Sequence, residues 1–264
     1  MNSILQYKHN IYSQNGEDGI IEEIFKRLQI QKGRFVEFGA WDGKHLSNSY
    51  KLFEEGWSGI FIEGDISKYK DLVYNFGRYD RVDCMNRFVG FDSDNSLDTI
   101  IDQSKFKDQE FDFISIDVDG LDYFIFEKME KYLPKVICIE VSSGHTPDFS
   151  TILPISIAQN NIGQSIQVMT NKGYEKGYFP LCYSGNLFLV KNEYKHFFFT
   201  KSVVEIYFDF LYHIIGPNRD LMQYLWDLYC KQEGRTERLY NTFGYVFPEN
   251  SYLISFLRTK LSIS

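Results

Sequence analysis

Acidic and glycine residues cluster at the ends of four predicted strands, where a site built on a sheet would do its chemistry. In chain order these residues are Gly39, Asp42, Gly43, Glu63, Asp117, Asp119 and Glu140, and His145 follows the last of these strands. In an open α/β sheet, a ligand lies beyond the carboxyl ends of the parallel strands. Carboxylates there can bind hydroxyl groups, accept protons or hold a cation, and glycines let the main chain turn closely against a ligand. The sequence therefore predicts one site that four strand ends share.

The first two strand ends fit a bound nucleoside. Glu63 lies 24 residues beyond Gly39, the spacing at which an acid accepts hydrogen bonds from both ribose hydroxyls. Trp41 stands where a dinucleotide-binding turn needs its second glycine, so a pyrophosphate is expected to clash. A phosphate loop is a near miss, because Gly39 and Gly43 are one residue too close and His45 replaces the required hydroxyl. S-adenosylmethionine (SAM) is the common ligand that has ribose and adenine but no phosphate.

A regular alternation of strands and helices positions these ends. Apolar runs predict strands at 34–38, 59–62, 82–89, 111–116 and 135–141, and helical periodicity predicts helices at 13–28, 47–55, 67–76, 96–101, 122–133 and 161–171. This pattern is typical of a doubly wound, mainly parallel α/β sheet. Two further strands, 178–183 and 186–190, are separated only by Ser184 and Gly185, a link too short for a parallel crossover. We therefore expect that pair to be antiparallel.

Several ordered motifs of the chain resemble those of the FkbM-like SAM-dependent methyltransferases. They are the entry at 13–18 (SQNGED), the run at 35–43 (FVEFGAWDG), Ser47–Ser49, Ile62–Asp65 and Ile116–Asp122. The resemblance covers about residues 11–192. It implies a Rossmann-like class I methyltransferase sheet of seven strands, mostly parallel, with the last strand antiparallel. One position departs from the family pattern D-x-x-G-x-E, since Asp122 replaces the final glutamate.

The resemblance also implies which residues bind the cofactor: Glu37, Gly39, Ala40, Asp42, Gly43, Ser47, Asn48, Glu63, Gly64 and Asp117. Glu37, Ser47 and Asn48, together with Gly39 and Asp42, would border the methionine part of SAM, and Glu63 would bind its ribose. Ser47 and Asn48 offer a hydroxyl and an amide at a predicted helix start, where a carboxylate is stabilised. Helix capping by the same two side chains is the alternative.

Methyl transfer to oxygen needs a group that removes the acceptor proton and a nucleophile held in line with the methyl group. His145 has the intrinsic pKa of a general base, and Asp117, Asp119 and Glu140 follow the same two neighbouring strands. The acids would alternatively hold a magnesium or manganese ion, which lowers the pKa of an acceptor hydroxyl. The resemblance implies a hydroxyl of a sugar or small metabolite as the acceptor. A nucleotide-linked precursor of capsule or lipopolysaccharide is the expected case.

Composition excludes several other classes of protein. The net charge of −8 has the wrong sign for a general electrostatic grip on nucleic acid. No apolar run approaches the roughly 18 residues of a membrane span, and residues 1–10 lack the apolar core of a signal peptide. The cytoplasm is therefore the expected compartment. The cysteines are dispersed, without the spacing of a zinc site.

Two interpretations from other classes stay open. Asp117-Val118-Asp119 also matches the D-x-D motif with which a metal-dependent nucleotide-sugar glycosyltransferase presents its carboxylates. A SAM-binding module without turnover is the non-enzymatic alternative.

The last part of the chain lies beyond the resemblance. We expect a methyltransferase domain at 1–193 and a helical extension at 194–264, with amphipathic stretches at 203–215 and 221–230. The apolar faces of the extension would serve as extra core, as a contact in a homo-oligomer or as a wall of the acceptor pocket.

Overall fold

A computed structural model describes residues 3–145 and 147–215 of the chain. The chain divides into two compact units, residues 1–203 and 204–264. The first unit contains the sheet and the candidate site. The described part of the second unit belongs to one helix, which begins at Val203 and ends at Ile215. The predicted domain boundary after residue 193 stays a prediction.

Seven strands form one sheet in the order β3-β2-β1-β4-β5-β7-β6. Their bounds are Arg34–Phe38 (β1), Ser58–Glu63 (β2), Val82–Asn86 (β3), Phe113–Ile116 (β4), Val136–Glu140 (β5), Tyr178–Tyr183 (β6) and Asn186–Lys191 (β7). Strands β1 to β5 pair in parallel, and β7 runs antiparallel to both β5 and β6. The structure thus confirms the predicted seven-stranded sheet with an antiparallel last strand.

Register brings the four strand ends to one level. Phe38 pairs with Ile62 on one side and with Ile116 on the other, and Ile116 pairs with Ile139. The next residue along each strand therefore lies in the same row at the carboxyl edge: Gly39, Glu63, Asp117 and Glu140. The antiparallel pairing of Glu140 with Asn186 adds the start of β7 to this edge.

Eight helices occur among the described residues. They are Glu17–Arg27 (α1), Tyr50–Glu54 (α2), Ile66–Phe76 (α3), Leu97–Asp102 (α4), Asp122–Lys128 (α5), Ile155–Ala158 (α6), Ile166–Glu175 (α7) and Val203–Ile215 (α8). None of these helices is long and apolar enough to cross a membrane.

Side-chain caps fix the starts of several helices. The Asp65 carboxylate accepts from the amides of Ser67 and Lys68 at the start of α3. The Ser165 hydroxyl accepts from the amide of Val168, at 3.1 Å, at the start of α7. Each cap satisfies main-chain N–H groups that have no partner within the helix, so the helix begins at a defined residue.

The core lies on both faces of the sheet. Phe35, Ile60, Ile114, Ile137 and Leu189, one from each of five strands, are fully buried. Strands that are buried on both faces have continuous apolar sequences, which is why the sequence signals them so clearly. Burial of both faces holds the strands in fixed register and gives the carboxyl edge a rigid base.

Two predicted helices are shorter than expected. The helix predicted at 47–55 begins only at Tyr50, and the amides of Asn48 and Ser49 before it donate to the Glu37 carboxylate. The helix predicted at 122–133 ends at Lys128, because the Asp98 carboxylate binds the amides of Glu130 and Lys131. At the end of α5 a distant carboxylate therefore takes the main-chain N–H groups that a longer helix would use.

Other differences concern the later part of the chain. The third strand ends at Asn86 rather than residue 89, and α7 spans 166–175 rather than 161–171. The short helix α6 lies in a segment predicted as loop. The helix predicted at 203–215 is confirmed as α8, and the helix predicted at 221–230 lies outside the described residues.

Candidate functional site

Three carboxylates converge at the carboxyl edge of the sheet. One oxygen from each of Asp117, Asp122 and Glu140 lies within 4.8 Å of the other two. Asp122 is buried, Glu140 is half-buried and Asp117 is exposed to solvent. The row that register creates between β4 and β5 therefore brings two of the predicted catalytic acids together, with Asp122 beside them.

Asp122 shapes the loop that carries the other acids of this strand end. Its Oδ1 accepts from the amide of Val118 and its Oδ2 from the amide of Gly120, both at 2.9 Å. The loop then turns through two left-handed residues, Asp119 with φ 53° and Gly120 with φ 111°. Asp122, which stands where the family has a glutamate, thus accepts hydrogen bonds from the loop that precedes it.

Burial and repulsion raise the pKa values of all three acids. Partial or full removal from water is the largest cause in each case. It combines with the charges of Asp117 and Asp122 to raise the pKa of Glu140 to about 8. Desolvation by the protein around its carboxylate, followed by the charges of Asp122 and Asp119, raises the pKa of Asp117 to about 7 although the residue reaches solvent. Burial raises the pKa of Asp122 to about 6. The cluster can therefore accept a proton near neutral pH, and solvent reaches it through Asp117.

Glu63 joins the loops that follow β1 and β2. Its Oε2 accepts from the amide of Trp41 at 2.7 Å, and its Oε1 accepts from the amide of Asp65 at 2.8 Å. The side chain is buried, with 7% of its surface exposed. Each carboxylate oxygen has a second lone pair that can accept from a hydroxyl, so this geometry is compatible with the predicted ribose contact.

The two turn glycines after β1 have different structural causes. Gly39 has φ +69°, and a Cβ there would lie 2.7 Å from the main-chain oxygen of Asp117. Gly43 has φ +75°, and a Cβ there would collide with the Phe76 ring of α3. Glycine at 39 lets the ends of β1 and β4 approach each other. Glycine at 43 lets the ring of Phe76 on α3 pack against the loop. Nothing in the neighbouring sequence predicts this contact.

Glu37 organises the chain before α2. Its buried carboxylate accepts from the Ser47 hydroxyl at 2.7 Å and from the amides of Asn48 and Ser49 at 3.0 and 3.1 Å. Burial raises the pKa of this carboxyl, and the bonds from Ser47 and Asn48 oppose the rise. The Asn48 side chain donates to the Ser115 hydroxyl on β4 at 3.0 Å. These polar groups therefore bind one another beneath the edge.

Ser47 also acts as a helix cap. Its hydroxyl oxygen accepts from the amide of Tyr50, the first residue of α2, at 2.9 Å. The capping alternative for Ser47 thus has a direct contact in its favour, whereas its contact with the methionine part of SAM, like that of Asn48, stays a prediction.

Two exposed apolar side chains follow the ends of β2 and β3. Ile66 begins α3 and is 59% exposed, and Phe88 follows β3 and is 74% exposed. A Cβ at Gly64 would collide with the Phe88 ring, so the missing side chain at 64 makes room for it. The Asn86 amide donates to the main-chain oxygens of Glu63 and Gly64 at 2.7 and 3.1 Å, which ties β3 to this corner. The sequence did not predict this juxtaposition, and nothing local in it signals one.

His145 lies in the loop that follows β5. Its ring stacks on Phe149 with the centroids 4.7 Å apart and the planes at 11°. Gln164 closes the base of this loop: its side chain bonds both main-chain groups of Leu153, at 2.8 and 2.9 Å, and its main-chain oxygen accepts from Ser142.

Gly120 ties the loop of Asp119 to the segment that follows His145. A Cβ at Gly120 would lie 2.5 Å from the main-chain oxygen of Ala158, at the end of α6. The missing side chain therefore allows the two segments to touch. The loops after β4 and β5, which carry the predicted catalytic residues, thus pack against each other.

Residues 92–176 match the family model of the methyltransferase FkbM domain. This region is an FkbM methyltransferase domain. It contains Asp117, Asp119, Asp122, Glu140 and His145, whereas Glu63 and the turn after β1 lie outside the match. Over residues 92–176 the match agrees with the methyltransferase family that the resemblance predicted, and it lends no support to a glycosyltransferase.

Solved structures of methyltransferases resemble this chain at low identity. A SAM-dependent methyltransferase from Aquifex aeolicus is 14% identical over 64% of this chain and 86% of its own, with a TM-score of 0.39. A TehB-like SAM-dependent methyltransferase from Corynebacterium glutamicum is 12% identical over 69% of this chain and 86% of its own, with a TM-score of 0.41. A protein from Galdieria sulphuraria named as a sarcosine dimethylglycine methyltransferase is 15% identical, with a TM-score of 0.43. The match covers 62% of this chain and 62% of the Galdieria chain. No curated protein matches the chain.

Proposed function

We propose that this methyltransferase transfers the methyl group of SAM to a hydroxyl of a sugar or small metabolite. The acceptor we expect is a nucleotide-linked precursor of a surface polysaccharide such as capsule or lipopolysaccharide, handled in the cytoplasm. The observation that carries the proposal is the convergence of Asp117, Asp122 and Glu140 at the same edge as Glu63. That edge offers a nucleoside-binding acid and a proton-accepting cluster side by side.

The cofactor site would extend along the ends of β1, β2 and β3. Glu63 would accept from the ribose hydroxyls, and the exposed side chains of Ile66 and Phe88 would cover the two faces of adenine. The loop at 39–43 would run beneath the sugar, with Gly64 leaving space beside it. This placement leaves the methyl group toward β4, where Asp117 reaches solvent.

The acid cluster would then remove the acceptor proton. As the acceptor oxygen forms its bond to the methyl carbon, the bond from that carbon to sulfur breaks and S-adenosylhomocysteine is released. The hydroxyl proton passes to Asp117 or Glu140, whose raised pKa values, about 7 and about 8, suit a proton acceptor near neutral pH. Asp119 and His145 are the other predicted groups on this side.

A divalent cation is a second way in which the same acids could act. Three carboxylate oxygens within 4.8 Å of one another suit magnesium or manganese, which prefer oxygen ligands. A cation there would relieve the repulsion among the acids and stabilise an acceptor alkoxide. The two mechanisms differ in one respect that is easily measured, because only the second requires the metal.

The test is a screen of nucleotide-linked sugars and polysaccharide precursors with methyl-labelled SAM. We expect a labelled product, and we expect Glu140→Gln and His145→Ala to lower turnover by about 10² to 10⁴-fold if the altered group is the general base. SAM affinity should stay within about threefold, since neither residue is among the predicted cofactor contacts. A chelator that leaves the rate unchanged would exclude the metal.

Other outcomes would overturn the proposal. Binding of a uridine-diphosphate sugar without any binding of SAM would restore the glycosyltransferase interpretation. SAM binding without transfer to any acceptor, at any metal concentration, would favour a module that lacks turnover.

A further inference from the structure

The loop between β1 and α2 binds the carboxylate of one of its own residues. Oδ1 of Asp42 accepts from the amides of Lys44 and His45, at 2.9 and 2.8 Å. Gly43 separates Asp42 from these two residues, and it has a left-handed φ of +75°. Successive main-chain N–H groups beside a left-handed residue form a concave nest that binds anions. Here the chain's own carboxylate fills it.

Three further amides of the loop are engaged as well. The amide of Ala40 donates to the main-chain oxygen of Ile62 at 3.1 Å, and the amide of Gly43 donates to the main-chain oxygen of Ala40 at 2.7 Å. The amide of Trp41 donates to Glu63 at 2.7 Å. A phosphate that entered this loop would have to break such bonds, and it would meet the negative charges of Asp42 and Glu63.

The Trp41 side chain lies beside these amides, with its ring centroid 5.2 Å from that of His45. Its indole is 44% exposed, and the ammonium group of Lys68, in the first turn of α3, lies 4.8 Å from the ring centroid. The main chain of the loop is held independently, since the Asn75 side chain donates to the main-chain oxygen of Asp42 at 2.9 Å. Removal of the indole would therefore leave the nest filled.

We propose that Asp42 is a specificity-determining residue of the cofactor site, because its carboxylate occupies the anion nest and restricts the site to adenosyl ligands without phosphate. The inference rests on the proposed SAM site. The sequence predicts that Trp41 excludes a pyrophosphate. On this proposal the excluding feature is instead the set of hydrogen bonds that the main-chain amides of the loop already make.

Calorimetric titration of the full chain with S-adenosylhomocysteine, ADP and inorganic pyrophosphate tests this assignment. The wild-type protein should bind S-adenosylhomocysteine and neither phosphate ligand. Asp42→Ala frees two amides and removes one negative charge. ADP should therefore bind this variant at least about tenfold more tightly than the weakest affinity that the titration of the wild type can detect. Asp42→Asn keeps an acceptor oxygen at the two amides and should still exclude ADP.

Two controls separate the alternatives. Trp41→Gly should exclude ADP as the wild type does, and if it gains ADP binding the indole is the determinant and the proposal is wrong. Asp98→Ala frees the amides of Glu130 and Lys131 far along the chain, and an equal gain there would show unspecific anion binding. Unchanged exclusion in Asp42→Ala would also refute the assignment. Failure of the wild type to bind S-adenosylhomocysteine would instead refute the proposed function, and the ADP comparison would still decide the role of Asp42.

Discussion

Asp117 and Asp122 stand at the two ends of one short loop, with carboxylate oxygens within 4.8 Å of each other. Asp122 holds the loop through the amides of Val118 and Gly120. After burial, the charge of Asp122 is the largest cause of the raised pKa of Asp117. One buried side chain therefore sets both the shape of the loop and the proton affinity of the exposed acid.

Replacing Asp122 by asparagine should shift the acid limb of the pH–rate profile to lower pH. The substitution removes the repelling charge, so the pKa of Asp117 should fall, by about one pH unit as an order of magnitude. The measurement is kcat/KM against pH with the acceptor that the screen identifies. Asp71→Asn, at an exposed position on α3, is the control and should leave the profile in place. An unshifted profile in Asp122→Asn would mean that Asp117 is not the titrating group.

Replacing Glu63 by alanine should weaken cofactor binding by about 2 to 4 kcal/mol, on the order of a hundredfold, through the loss of two charge-assisted ribose bonds. Calorimetry with S-adenosylhomocysteine gives the affinity. The same change leaves the amides of Trp41 and Asp65 without their acceptor, so Glu63→Gln, which keeps one acceptor oxygen, is the matched variant. Equal affinities of all three proteins would remove Glu63 from the ribose site.

The free energy of unfolding should fall as the pH rises towards the raised pKa of Glu140. Burial, followed by the charges of Asp117 and Asp122, raises the pKa of Glu140 from its ordinary value of 4.5 to about 8, so the native state binds the extra proton. The resulting stabilisation is fully present below about pH 4.5 and is lost as the pH rises through about 8. Urea denaturation between these limits should show this decline, and Glu140→Gln should flatten it. A slope that is the same in both proteins would contradict the raised pKa.

Alanine at position 39 should destabilise the protein more than alanine at another left-handed glycine. A Cβ at Gly39 would lie 2.7 Å from the Asp117 main-chain oxygen, whereas Gly177, with φ +83°, has nothing within 4 Å of that position. Gly177→Ala therefore measures the cost of the left-handed conformation alone, about 1 to 2 kcal/mol. We expect Gly39→Ala to cost about 1 to 3 kcal/mol more by urea denaturation. Equal losses would mean that β1 and β4 can separate without cost.

The alternation of apolar runs and helical periods determined the sheet. Phe35, Ile60 and Ile114 belong to runs that are apolar on both faces, and such runs are local features that a sequence shows directly. The two-residue link at Ser184 and Gly185 likewise required the antiparallel pair. From these features follow the strand ends, and with them the placement of Glu63, Asp117 and Glu140 at one edge.

Helix ends were less predictable because their hydrogen-bond partners lie far along the chain. The carboxylates of Glu37 and Asp98 bind amides beside the ends of two helices, 11 to 33 residues away along the chain. The residues around such a carboxylate in the sequence do not show which distant amides it will bind. The same is true of Gly43, whose missing Cβ leaves room for Phe76 of the next helix.

The sequence by itself thus determined the type of sheet and the edge at which the chemistry is expected, and it predicts an adenosyl ligand at that edge. Only the tertiary structure decided how the polar groups at that edge are paired: Glu37 is engaged by Ser47, Asp42 by its own loop, and Asp122 by the loop of Asp117. Hydrophobic periodicity is a property of neighbouring residues, whereas the partner of a carboxylate depends on distances that exist only after the strands have come into register.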